Sequence, residues 1–120
     1  MAPRLITPVD ESGLTARAEV IADPNDPVFT GHYPGFPVLP GAFVLEFADQ
    51  AVRRWLGDEQ ARLVAVERAR FLQPVYPGDH LQLDLVLTPS EDGLRSTTSV
   101  STSAGPVAEI RLRHATGVLA

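Results

Sequence analysis

Residues Phe29 to Gln50 read FTGHYPGFPVLPGAFVLEFADQ, and the organisation of the whole chain follows from them. His32 sits in a loop braced by Pro34, Pro37 and Pro40. Each proline fixes its own φ and restrains the residue before it, so this loop is stiff. Pro40 and Gly41 then open a helix expected to run to about Leu56. Proline suits a first turn because the N–H it lacks would find no partner there. Residues 42 to 52 are apolar on almost every side, interrupted only by Glu46, Asp49 and Gln50. A helix of that kind must be enclosed by other structure. Arg53 and Arg54 mark its emergence into solvent and suit its negative end. Gly57-Asp58 follows as a stop.

Three residues in this stretch carry chemistry. Glu46 lies between Leu45 and Phe47, so it is expected to be buried. A buried carboxylate is costly unless it is paired or held neutral. Held neutral, it can donate a proton near physiological pH; paired, it is only a structural cap. His32 has the ordinary pKa of a general base near neutrality, and a braced loop suits a group that must be held in place. A histidine in a loop also serves as a plain hydrogen-bonding residue. Gly41 lets a ligand approach the backbone, and its N–H lies among the unpaired donors at the positive end of the helix. A carbonyl oxygen gaining charge could rest there. The alternative for Gly41 is a simple tight turn. Together these groups point to proton transfer beside an acyl carbonyl.

Outward from the helix, most of the chain reads as strand. Thr15 to Ile21 is the first, ended by the loop sequence DPNDP at residues 23 to 27. Strands are expected at Leu63 to Phe71, His80 to Leu87, Leu94 to Thr102 and Val107 to His114. In the second of these, Leu81, Leu83, Leu85 and Leu87 alternate with His80, Gln82 and Asp84. Leu94 to Thr102 is rich in Ser and Thr and reads as half exposed. YPGD at 76 to 79 and SEDG at 90 to 93 are turns. His80 and His114 are expected at the surface. The sum is an α+β fold in one domain over residues 1 to 120, an antiparallel sheet wrapped around one long central helix. One sheet and one helix leave apolar surface uncovered at this size, so the chain is expected to oligomerise.

Composition bounds the function. The 120 residues are 44% hydrophobic and 21% charged, as in a soluble globular domain. No apolar run spans a bilayer and no signal peptide opens the chain, so the expected setting is cytoplasmic, away from membranes. The net charge of −5 argues against nucleic acid. There is no cysteine, which excludes disulfides and thiolate chemistry. All 10 basic residues are arginine, which excludes Schiff bases. The three histidines show no metal-ligand spacing. No GxSxG, GxGxxG or Walker sequence occurs.

The segment GHYPGFPVLPGAFVLEFADQA, residues 31 to 51, resembles the signature of the hotdog-fold 3-hydroxyacyl-[acyl-carrier-protein] dehydratases of fatty acid synthesis. ARFLQPVYPGDHLQLDL, residues 69 to 85, resembles that family's later strand, turn and strand. The resemblance implies a dimer in which His32 of one subunit meets Glu46 of the other. It implies removal of water from a (3R)-3-hydroxyacyl thioester to give the trans-2-enoyl thioester. His32 would take the α proton, Glu46 would protonate or orient the departing 3-hydroxyl, directly or through water, and the Gly41 N–H would hold the thioester oxygen. Gln50, one helical turn beyond Glu46, would orient the acid. The acyl chain would lie near Val38, Leu39 and Phe71.

No cofactor is implied beyond the phosphopantetheine arm of the carrier protein. A homodimer is expected, with a trimer of dimers or a heterodimer as alternatives. The family's longer N-terminal stretch is missing here, which fits a compact relative from a polyketide pathway. Glu46 stands where the family's isomerising subgroup has Asp, so the resemblance implies dehydration alone. Two other readings stay open: a hotdog acyl thioesterase, which also uses a carboxylate on this helix, and a non-catalytic subunit of a dehydratase heterodimer. The partner is an acyl carrier protein or a CoA thioester. Carrier proteins are acidic, so Arg53, Arg54, Arg68 and Arg70 are candidate docking residues.

Overall fold

The alternation in the second half of the chain turns directly into a sheet. The computed structural model describes residues 1–7, 15–31, 35–57 and 60–116. Its strands are β1 (Arg4–Thr7), β2 (Thr15–Ile21), β3 (Arg62–Phe71), β4 (His80–Ser90), β5 (Gly93–Thr102) and β6 (Gly105–Ala115). Its helices are the short α1 (Val28–Gly31) and the long α2 (Gly41–Leu56). The strands form one antiparallel sheet in the order β1-β2-β4-β5-β6-β3. The strand that follows α2 therefore lands on the far edge, beside β6.

One face of the sheet is apolar and carries α2. Leu81, Leu83, Leu85 and Leu87 of β4 are all buried, as are Ile110 and Leu112 of β6. Fully burying one such side chain stabilises by about 2 kcal/mol. Against them α2 sets Val44, Phe47, Ala48, Ala51 and Val52. The alternation of β5 puts Leu94, Ser96, Thr98 and Val100 inward, so Ser96 and Thr98 are buried rather than half exposed. Their register fixes this: Ser96 faces Leu87 and Leu112, and Thr98 faces Leu85 and Ile110.

The ends of α2 follow from local chemistry. Pro40 has φ −59° and ψ 143°, an extended ψ, so the helix starts one residue after it and Pro40 is the cap. At the other end Gly57 takes φ 62°, and its N–H donates to the Arg53 carbonyl at 2.9 Å. A side chain there would strain the left-handed backbone.

Two elements were not expected from the sequence. Strand β1 pairs only with β2, and Arg4 meets Glu19 across that pair. Helix α1 is a single turn, begun where Asp26 Oδ1 accepts from the Val28 N–H at 2.9 Å and anchored by buried Phe29.

Within a single chain, α2 is not enclosed on all sides. The sheet covers one side of it. Ala42 and Glu46 are exposed, and Phe43 and Leu45 only half-buried. Among the described residues no helix is long and apolar enough to cross a membrane.

Candidate active site

The start of α2 opens onto a groove of about 410 Å³. Leu39, Gly41, Val44, Phe71, Leu72, Gln73, Pro74, Val75 and Val107 line it. The segment after β3 is pinned beside the helix start: the Leu39 N–H donates to the Val75 carbonyl at 2.8 Å, and the Leu72 N–H to the Val107 carbonyl at 2.7 Å. Gly41 is a close approach. A Cβ there would lie 3.0 Å from Phe71 Cζ, so only glycine leaves the ring in place. Pro40 supplies no side-chain cap, so none of the first N–H groups of α2 is taken by one. An uncapped, positive helix end thus faces this groove.

Leu39 and Phe71, two of the three residues expected near the acyl chain, both line this groove. Val38 is half-buried and lies outside the residues lining this cavity. Leu72 to Val75 and Val107 were not anticipated. The signal for Leu72 to Val75 was present in the run LQPV after β3, which reads equally well as a connecting loop.

Within the single chain Glu46 is exposed, where the sequence led to the expectation of a buried acid. The cause is geometric: Glu46 points away from the sheet, about 160° around the helix from Val44, which faces the core. Gln50 Nε2 donates to Glu46 Oε1 at 3.2 Å, the i,i+4 contact expected of it. The other amide atom, Gln50 Oε1, is buried and has no partner among the described residues. Within one chain, the acid and the cavity thus lie on different sides of α2. His32 lies outside the described residues.

His114 is the clearest correction. It is fully buried, not at the surface. It follows Ile110 and Leu112 on the inward register of β6, so its alternation carried the signal, although the residue type argued the other way. His114 Nε2 and Asp49 Oδ1 are 2.7 Å apart. Arg53 Nε donates to the same Asp49 oxygen at 3.0 Å, and its guanidinium also donates to the Ala61 carbonyl. Burial works to raise the Asp49 carboxyl, but the His114 hydrogen bond and the Arg53 charge outweigh it and hold the group below the usual carboxylate range. His80, by contrast, is exposed, with Nε2 2.9 Å from Glu19 Oε2.

The four docking candidates lie on two elements, α2 and β3. Arg53 is engaged by Asp49 and Ala61 inside the fold. Arg54 is exposed on α2. Arg68 and Arg70 are exposed on β3, facing Arg111 and Glu109 across the strand pair. These two lie on the side of the sheet opposite Ala69 and buried Ile110, away from the helix.

Known proteins share both the sequence and the shape. A family model described as ApeI-like, ApeI dehydratase, matches residues 8–106. The 3-hydroxyacyl-[acyl-carrier-protein] dehydratase FabZ of Haemophilus influenzae is 37% identical over 91 residues, which are 70% of this chain and 62% of that protein. FabZ of Mannheimia succiniciproducens is 35% identical over 105 residues, 82% of this chain and 70% of that one. The chain thus spans 62% of the length of the first of these relatives. Among solved structures, the dehydratase heterocomplex ApeI:P of Xenorhabdus doucetiae superposes with a TM-score of 0.74 at 20% identity, covering 96% of this chain and 99% of the other. An uncharacterized protein of Erwinia carotovora gives 0.74 at 22% identity, covering 98% and 99%. These likenesses give the shape alone, and that shape is the hotdog fold.

Proposed function

Since the chain belongs to the ApeI-like dehydratase family, we propose that it removes water from a 3-hydroxyacyl thioester, with a second chain completing each site. The observation that carries this reading is the separation of cavity and acid. Among the described residues, the groove at Gly41 has no acid in its lining, while Glu46 stands exposed on another flank of the same helix. A second chain laid over that flank would bring its own cavity to Glu46. It would also take the carboxyl out of water.

In this site the thioester oxygen lies at the start of α2. The N–H groups there, Gly41 first, stabilise the negative charge it gains. His32 takes a proton from the carbon next to the carbonyl. Glu46 gives a proton to the 3-hydroxyl, the C–O bond breaks, and water leaves with the electron pair of that bond. The remaining pair forms the 2,3 double bond. Proton return from His32 to Glu46 resets the site. Gln50 holds Glu46 in place. The acyl chain lies against Leu39 and Phe71, with Val38 at the outer margin. A carrier protein or CoA brings the thioester, and exposed Arg54, Arg68 and Arg70 are open to an acidic carrier. Homodimer, heterodimer and trimer of dimers all satisfy the need for a second chain.

A mass-spectrometric assay with 3-hydroxyacyl thioesters of several lengths tests the reading. Loss of one water, about 18 mass units, supports it. Release of free acid would make the protein a thioesterase. No change with any thioester, despite an associated chain, would leave it a silent subunit.

A further inference from the structure

We propose that His114 and Asp49 are positioning residues that fix the rotation of α2 and thereby aim Glu46. The inference rests on the dehydratase reading for its activity readout, but not for its geometry. The buried face of α2 consists of Val44, Phe47, Ala48, Ala51 and Val52. Apolar contact is non-directional. A face with two alanines in it sets how deep the helix lies more firmly than how it is turned.

A hydrogen bond does have direction. At 3.6 residues per turn, Asp49 lies about 60° around the helix from Glu46, and Gln50 about 40° on its other side. Any turn of α2 that moves Asp49 therefore moves Glu46 as well. One Asp49 oxygen receives two anchors. His114 Nε2, 2.7 Å away, ties it to β6. Arg53 Nε, 3.0 Å away, ties it through the Arg53–Ala61 contact to the residue before β3. Helix and sheet are thus locked together at the flank between the buried face and the acid.

Neither member of the pair reaches substrate. The His114 side chain is 0% exposed and Asp49 only 19%, and neither lines the cavity at Gly41. Ser96 is a diagonal neighbour of His114 across the strand pair. It is equally buried, so a nucleophilic relay through these three residues has no access. What remains for the pair is orientation.

The test compares His114→Leu, which keeps the volume and removes the donor, with His114→Gln, whose amide can donate from the position of Nε2. A third variant, Asp49→Leu with His114→Leu, removes both polar groups of the buried pair and frees only the half-exposed Arg53 Nε, so it is expected to fold even where the single change does not. Each is checked by circular dichroism. With an active parent, both leucine variants are expected to lose kcat by about tenfold or more, with KM within about twofold. His114→Gln is expected to recover to within about threefold. The Gln50 side-chain amide resonance should shift in the leucine variants and return in His114→Gln.

A folded leucine variant with unchanged kcat overturns the proposal, as does a glutamine variant no faster than His114→Leu. Should the parent turn over no thioester, the dehydratase reading falls and the amide resonance decides alone. Displacement that His114→Gln restores then supports the clamp, and an unmoved resonance overturns it.

Discussion

Gly41 and Phe71 show how little room the site allows. Gly41→Ala forces a methyl to 3.0 Å from the Phe71 ring, so the ring must shift into the cavity it lines. We expect kcat/KM to fall by roughly tenfold or more with little change in stability, because the atoms that must move are side-chain atoms beside open space. Adding Phe71→Leu should recover part of the loss, and steady-state kinetics of the pair measures it. His32→Ala should lower turnover by at least roughly a hundredfold, the usual cost of losing a general base; near-normal turnover would remove the base assignment. Asp49 makes a prediction about pH. Its folded carboxyl is held below the usual range, so it contributes stability above the unfolded value of about 3.9 and loses it as pH falls through the folded one. Acid unfolding of Asp49→Asn should therefore begin from lower neutral-pH stability and show a shallower acid limb. At this scale the sequence was readable where spacing decided, as with Glu46 and Gln50 one turn apart. It misled where residue type was weighed against pattern: His114 was assigned to the surface because it is polar, although Ala108, Ile110 and Leu112 had already set its side of β6.

At the scale of elements, the alternation of β4 and the Pro-Gly opening of α2 were enough to place both. Boundaries shifted by one to three residues because pairing continues past the apolar core: β4 runs on to Ser90, opposite Gly93. Strand β1 escaped notice because four residues give too short a period to read. The end of α2 offers a clean test. Gly57→Ala places a Cβ in a left-handed conformation and should cost about 1 kcal/mol in denaturant unfolding, with turnover unchanged. Strand β3 offers another. It pairs with β6 on one side only and exposes Val64 at 38% and Val66 at 46%. An unpaired edge with apolar side chains is a template for another chain. Val66→Glu should shift the protein toward monomer in light scattering and lower turnover in step; a fully active monomer would refute the shared site.

For the whole molecule, the extents are 47 × 26 × 22 Å and the radius of gyration is 14.5 Å. A compact chain of this length has about 13.6 Å. The excess fits a broad sheet with a helix on one side of it. No sequence pattern shows which flank of an all-apolar helix its own chain leaves bare, because composition describes the helix and not the number of sheets available to cover it. The location of Glu46 was therefore hidden until the strand order was known. A mixture of His32→Ala and Glu46→Ala chains should regain activity that neither has alone, up to about a quarter of normal for random pairing of two subunits. Proven mixed dimers without any gain would confine the site to one chain.

The outward-facing carboxyl carries a kinetic corollary. If each site is shared between two chains as proposed, a lone protomer lacks a complete site, and output per molecule would depend on how many molecules are present. Below the dissociation constant, specific activity should decline in proportion to protein concentration, and the cell's expression level becomes a throttle on the reaction.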